Sequence, residues 1–315
     1  MSVNIVQLQR GISIPEFMKQ YGTEDKCISA LESQRWPNGF TCPSCGNTNY
    51  CILKTKRLYQ CNSCNRQTSI TAGTMFHSTK LPLRTWFLAI HFMTQSKNGI
   101  SQLELARQIG VSANTGALMY HKIAHVMMER EQSKPLSGNV EIDDAYWGGK
   151  AKGKRGRGSE NKTPFVAAVE KREEKPSRIK LNVVSRFSKR ELAKWSINNL
   201  EPGTAVVSDG LNCFTAVKEH GCSHTAIIVG NSKDSSKTAA FNWVNTILGN
   251  LKTALSGTFH KLGANHLKRH FATFVHRFNR TSTVFKHLIL VTDLAMVYLH
   301  EFGNLSTLQT SEKKH

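Results

Sequence analysis

Val140-Glu141-Ile142-Asp143-Asp144-Ala145-Tyr146-Trp147-Gly148-Gly149-Lys150 is the stretch whose reading decides the fold. Val140, Ile142 and Tyr146 give a short strand rich in β-branched and aromatic residues. Adjacent carboxylates, Asp143 and Asp144, interrupt it, and a Gly-Gly turn follows. A buried strand has little use for Asp, which is depleted in strands and costly to bury unpaired. Strand alternation sends the two carboxylates to opposite faces, so only one of them can face a given site. A hard cation such as Mg²⁺, which takes oxygen ligands and prefers carboxylates, offsets the cost of the inward one. An edge strand carrying two solvated Asp is the alternative reading of this window.

Downstream, Gly148–Lys162 carries Lys150, Lys152, Lys154, Arg155, Arg157 and Lys162 against a single Glu160. This reads as a flexible basic loop able to clamp phosphates, or as a solvated hairpin tip. Strand-like runs follow at Phe165–Glu170 and Ile179–Val184. Ser188 caps a helix that reaches Leu200, and Thr204–Ser208 is a strand ending in Asp209-Gly210. Asn212–Glu219 is helix-like and Thr225–Val229 is one more short strand. Strands opening the run and then alternating with helices predict a mixed α/β sheet covered by helices. Asp209 then stands at a strand's carboxyl end, where ligands bind in open α/β sheets.

Lys237–Leu255 is a long helical segment containing Asn242, Asn245, Asn250 and Lys252. Asn245 and Lys252 are two turns apart and share a face. Asn carries a mild cost inside a helix, so these three are either solvent-exposed or placed where an amide is required. Asn265–Arg280 is a basic amphipathic helix, with Leu267, Phe271, Phe274, Val275 and Phe278 on one face and Lys268, Arg269, Arg277 and Arg280 on the others. A last helix is expected over Val284–Phe302, followed by a polar tail.

Towards the N-terminus, residues 13–35 read as an amphipathic helix broken at Gly22, with Cys27 in the core. Cys42-Pro43-Ser44-Cys45 and Cys61-Asn62-Ser63-Cys64 are separated by fifteen residues. Two CxxC pairs at this separation offer four thiolates to a tetrahedral Zn²⁺, and predict a zinc ribbon with short strands at Tyr50–Lys56 and Leu58–Gln60. Cys51 lies outside the pattern and is expected to be packing. Thr85–Ser96 is a second apolar helix. Gly99–Lys122 then has helix-turn-helix form: Ser101 and Glu104 make a capping box, Gly110 ends the first helix and Ser112 caps the second. Such a unit lays its second helix in the DNA major groove, the alternative being a plain helical hairpin.

Composition narrows the partners. The chain has 315 residues and a net charge of +20, from 42 Lys+Arg against 22 Asp+Glu. That balance points to a polyanion, most simply nucleic acid. No apolar run is long enough for a membrane span, and no signal peptide is evident, so a cytoplasmic protein without a membrane partner is expected. Eight Cys in such a chain argue for metal ligands and buried thiols rather than disulfides.

Taken in order, the two CxxC pairs, the helix-turn-helix-like region, "VEIDDAYWGGK", "GKRGRG…NKTPF", "VVSDG", "VNTILGNLKTALSGTFHKL" and "HRFNR" resemble bacterial insertion-sequence transposases with an ISXO-like catalytic domain. The similarity runs from about residue 15 to 280. It implies a ribonuclease H-like mixed sheet flanked by helices, preceded by a zinc ribbon and a helix-turn-helix-like region. The expected domains are 1–78 (N-terminal helix and ribbon), 79–131 (helix-turn-helix-like region), 132–139 (linker), 140–303 (catalytic domain) and 304–315 (tail). The first two family carboxylates fall on Asp143 and Asp209. The third position, usually Glu, falls on Asn245, as in a subgroup of the family, and the Lys one helical repeat later falls on Lys252. No Asp or Glu occurs between Ser235 and Thr292, so the segment hides no third carboxylate; Asp144 and Asp234 are the fallback ligands.

The resemblance implies two Mg²⁺ or Mn²⁺ ions held by Asp143, Asp209 and Asn245, and strand cleavage and transfer on double-stranded DNA, at terminal inverted repeats and a target. It further implies a nucleoid-associated bacterial protein, at least dimeric on paired ends. Two other classes remain open. One is a non-catalytic zinc-ribbon DNA-binding protein, either a regulator or an inactive transposase remnant. The other is a nuclease of the same fold, such as a resolvase.

Overall fold

The computed structural model describes residues 12–53, 57–96, 98–148, 162–227, 241–259 and 262–279, apart from the Ala264 side chain. Lys150, Lys152, Lys154, Arg155 and Arg157, together with Asp234, the expected helix Val284–Phe302 and the tail, lie outside these residues. The chain forms two compact units: described residues 12–95 and 102–126 make one, and 96–101 with 127–279 the other.

The first unit begins with α1 (Ile14–Tyr21) and α2 (Glu24–Arg35), separated at Gly22. Ser13 and Glu16 make a reciprocal capping box on α1, and Thr23 caps α2. Buried Phe17, Tyr21, Cys27 and Leu31 give the pair one apolar side. Next comes an antiparallel three-stranded sheet in the order β1 (Tyr50–Leu53), β2 (Leu58–Cys61), β3 (Gln67–Ser69). β3 was not anticipated, and Cys51 is exposed on the edge strand β1 rather than packed. The first two strands were expected because the thiolate pairs bracket them; β3 carries no apolar run to betray it.

Helix α3 (Leu83–Gln95) follows, its first turn held by the Glu24 carboxylate, which accepts from the Leu83 and Arg84 amides at 2.8 and 3.0 Å. Then α4 (Gln102–Ile109) and α5 (Ala113–Gln132) follow, two helices joined by a three-residue turn. Gly110, at φ 71°, ends α4 while Val111 N–H reaches back to Ala106 O at 3.0 Å. The Ser112 hydroxyl accepts from the Thr115 amide at 3.3 Å, capping α5. The two helices cross closely at Gly116, where an added Cβ would lie 2.5 Å from Ala106 Cβ.

The second unit is built on a five-stranded sheet in the order β6-β5-β4-β7-β8: β4 (Asn139–Trp147), β5 (Thr163–Arg172), β6 (Lys175–Val183), β7 (Ala205–Ser208) and β8 (Ser223–Ala226). β5 runs antiparallel to β4 and β6, while β7 and β8 run parallel to β4 and to each other. Numbered within the sheet this is 3-2-1-4-5 with only strand 2 reversed, the ribonuclease H-like order. Two helical layers cover it. On one face Val140, Ile142, Val166 and Ala168 pack against α6 (Lys189–Asn199) and the 3-10 helix Asn212–His220. On the other, Ala145, Phe165, Ala167 and Val169 pack against α7 (Asn242–Thr258) and α8 (Ala264–Phe278).

Three sequence expectations shift in detail. β8 starts two residues earlier than read, because the Ser223 amide bonds Thr204 O and sets its register beside β7. Arg277, read as part of a polar face of α8, is only 7% exposed, because α8 is buried on more than its apolar stripe: His270, Thr273 and His276 are also buried. Of the segment 132–139, read as a linker, Gln132 ends α5, Asn139 starts β4, and the residues between them are pinned in place. Leu136 is fully buried and bonds both Asn199 O and the Glu201 amide, and Arg178 donates to the carbonyls of Lys134 and Pro135.

Candidate functional site

Parity along β4 assigns faces. Glu141, Asp143, Ala145 and Trp147 belong to the α7–α8 side, where Ala145 and Trp147 join the core; Val140 and Ile142 belong to the α6 side. On β7 the same logic puts Val207 on the α7–α8 side and Val206 on the other, so Asp209 follows Val207. Ser208 is the last residue of β7 and stands opposite Ile142. The next pair in that register is Asp143 and Asp209, on neighbouring parallel strands and on one face. Asp209 then turns away: its Oδ1 accepts from the Leu211 amide at 3.1 Å, with Gly210 at φ 88°.

Oxygens of Asp143, Asp144 and Asp209 all lie within 4.8 Å of one another. Asp143 and Asp209 meet as expected. The approach of Asp144 corrects the expectation that alternation keeps the adjacent carboxylates apart. The reason is the early end of β7. Beyond Ile142, β4 keeps β5 on one side but has no strand on the other among the described residues. Both Asp side chains can lean into that gap, whichever face their Cβ leaves from. Three half-buried carboxylate groups this close repel unless cations lie between them, so the donor set suits hard divalent ions.

Asn245 sits in the first turn of α7 and is half-buried; Lys252 is exposed two turns later. What fixes that turn is a residue the sequence reading passed over. Glu141, 1% exposed, accepts from the Val244 amide at 3.0 Å and lies 3.5 Å from Lys171 Nζ. Burial pushes its carboxyl above the usual range, while the Val244 amide, Lys171 and, more weakly, the Trp243 amide pull it back. The signal was present as a Glu inside an otherwise apolar strand, two residues from Asp143.

In the first unit the four thiols converge. Cys42 and Cys64 Sγ are 3.6 Å apart, as are Cys45 and Cys61 Sγ. A tetrahedral Zn²⁺ with bonds of about 2.3 Å has sulfurs about 3.8 Å apart, so the geometry fits. The two pairs form like turns: Gly46 N–H returns to Cys42 O at 2.9 Å and Asn65 N–H to Cys61 O at 3.0 Å, with Gly46 and Asn65 both left-handed. Amides of Ser44 and Cys45 point at the Cys42 sulfur and lower its pKa to about 6, and those of Cys64 and Ser63 lower that of Cys61. Trp36, Phe40, Tyr50 and Tyr59 pack ring against ring beside it.

A ribonuclease H-like sheet with paired carboxylates at neighbouring strand ends defines the class: a nuclease or transposase domain of ribonuclease H-like fold. Residues 135–279 match the ISXO2-like transposase domain, and residues 22–67 match the transposase zinc-ribbon domain. The chain thus carries two domains described from insertion-sequence transposases, a zinc ribbon and an ISXO2-like domain. It is 31% identical over 171 residues to an uncharacterized protein in transposable element ISH50 of Halobacterium salinarum, an alignment covering 48% of this chain and 56% of that protein. The chain thus spans little more than half the length of that relative.

Among solved structures, the chain resembles the simian T-cell lymphotropic virus intasome in complex with PP2A regulatory subunit B56 gamma (TM-score 0.27, 11% identity, 60% of this chain and 65% of that one). It also resembles the Mos1 strand transfer complex (TM-score 0.23, 11% identity, 62% and 74%). At these scores the likeness adds nothing to the fold assignment, which rests on strand order. No helix among the described residues is long and apolar enough to cross a membrane.

Proposed function

We propose that this protein is the transposase of an insertion sequence, binding the element's terminal inverted repeats and cutting and joining DNA strands in a divalent-cation-dependent reaction. The observation that carries the reading is the meeting of Asp143 and Asp209 across the end of β7, on the face that α7 covers. Asp143 and Asp209, with the amide oxygen of Asn245, hold Mg²⁺ or Mn²⁺. Such ions, when bound, activate a water or 3′-hydroxyl and stabilise the leaving oxygen of an in-line displacement at phosphorus. Asn245 brings an oxygen but no charge, so the cation it contacts is held less tightly than by Glu. Lys252, exposed on the same helix face as Asn245, contacts a DNA phosphate. Four thiolates hold a structural Zn²⁺ in the ribbon. The ribbon and the helix-turn-helix read the ends, with a charge of +20 supplying the salt-dependent attraction to the backbone. Lys150, Lys152, Lys154, Arg155 and Arg157 clamp phosphates next to the acidic strand, and paired ends call for at least a dimer.

The test is nicking and joining of a labelled inverted-repeat end with Mg²⁺ or Mn²⁺. Asp143→Ala and Asp209→Ala abolish both while end binding survives. Asn245→Glu retains or raises cleavage. If the wild-type chain binds ends but cuts nothing, the non-catalytic reading, which the amide at position 245 favours, takes its place.

A further inference from the structure

Helix α7 lacks a cap of its own. Its N-cap is Phe241, whose side chain offers no acceptor to the first-turn amides. Those amides are orphans that must find partners. The partner is Glu141, from a strand a hundred residues earlier: its carboxylate takes the Val244 amide at 3.0 Å and draws on the Trp243 amide as well. A buried anion at a helix N-terminus is favoured by the aligned peptide dipoles, and Lys171, 3.5 Å away, balances its charge.

Glu141 stands two residues before Asp143 on one face of β4, and Val244 one residue before Asn245 on α7. One carboxylate therefore ties the two elements together within a residue or two of the groups assigned to the cation. The chain uses the same device elsewhere for packing alone, where Glu24 caps the first turn of α3.

We infer that Glu141 is the positioning residue of the site: as the remote cap of α7 it sets Asn245 against Asp143 and so fixes how tightly the second cation is held. The inference rests on the cation-binding reading above. It does not make Glu141 a ligand: Oε2 is taken by the Val244 amide and Oε1 faces Lys171 Nζ at 3.5 Å.

The experiment compares Glu141→Gln, which keeps the side-chain length and one acceptor, with Glu24→Gln as the purely structural cap control. Full-length protein is titrated with Mn²⁺ without DNA and followed by electron paramagnetic resonance. Amide exchange over residues 242–246 is read by mass spectrometry, and end cleavage is measured against Mg²⁺ concentration. Glu141→Gln is expected to weaken Mn²⁺ binding and raise the Mg²⁺ needed for half-maximal cleavage at least fivefold, with faster exchange over 242–246. Glu24→Gln should lower the unfolding temperature and move neither cation reading. The inference is overturned if Glu141→Gln leaves Mn²⁺ affinity and the Mg²⁺ midpoint at wild-type values, or only scales the amount of active protein as Glu24→Gln does. Should Glu141→Gln fail to fold, Lys171→Met, which loosens Glu141 without removing it, must give the same shift in smaller degree or the inference falls. Wild-type protein that binds no Mn²⁺, or Asp143→Ala that still cuts, would instead sink the underlying functional reading.

Discussion

Asn279 stands in for a sixth strand at Ile179. The Ile179 N–H donates to Asn279 Oδ1 at 2.7 Å, and Asn279 Nδ2 donates back to Ile179 O at 3.1 Å. β6 is an edge among the described strands, and none of them pairs with these backbone groups on that side. Nδ2 also reaches Glu131 Oε2 at 2.8 Å, which ties the end of α8 to the end of α5.

Asn279→Ala should therefore cost about 2 kcal/mol, because it strands part-buried donors and acceptors rather than merely deleting a contact. Asn279→Asp should cost more, since it replaces two donors with a second carboxylate beside Glu131. Urea unfolding of the two variants against wild type measures both.

The crossing of α4 and α5 depends on the missing side chain at position 116. Gly116→Ala puts a Cβ 2.5 Å from that of Ala106, so the helices must part. Overpacking of this kind costs about 1–3 kcal/mol. End binding measured by gel shift should fall with it, and the double variant Gly116→Ala with Ala106→Gly should recover only part of the loss, because the Ala106 Cα and N still lie 3.0 and 3.2 Å from the added Cβ.

Asp144 joins the acidic cluster although its strand neighbour Asp143 leaves from the other face. Asp144→Asn should raise the Mg²⁺ concentration for half-maximal cleavage several-fold without changing end binding. An unchanged midpoint would place Asp144 outside the cation shell.

Lys180 is 3% exposed, and its ammonium donates to Gln132 O at 3.4 Å. Burial, and then the nearby Arg178, lower its pKa from 10.5 to about 8. The unfolded chain thus binds this proton more tightly than the folded one, so stability rises with pH between about 8 and 10.5 and is lost again as pH falls through 8. The gain is on the order of 3 kcal/mol. Lys180→Met should flatten that rise, as read by urea unfolding at a series of pH values.

Local signals were readable from the chain alone. The CxxC pairs announce their site because each pair is a single turn, and Ser188, Ser112 and Gly110 mark helix ends by chemistry acting within three or four residues. Asp143 and Asp209 stood out because carboxylates are out of place in apolar strands. What stayed hidden was set by distant chain. Asp144 comes into the cluster because β7 stops at Ser208, Cys51 is exposed because β1 is an edge, and Glu141 matters because an amide a hundred residues away needs an acceptor. The Asn of "HRFNR" gave no hint that it completes a sheet edge.

The sheet is sealed above and below by helices and ruptured in one place only among the described strands, where β7 gives out opposite Ile142. Lengthening β7 by a single inserted residue would push Asp209 one position along and turn it to the opposite face from Asp143, because side chains alternate along a strand.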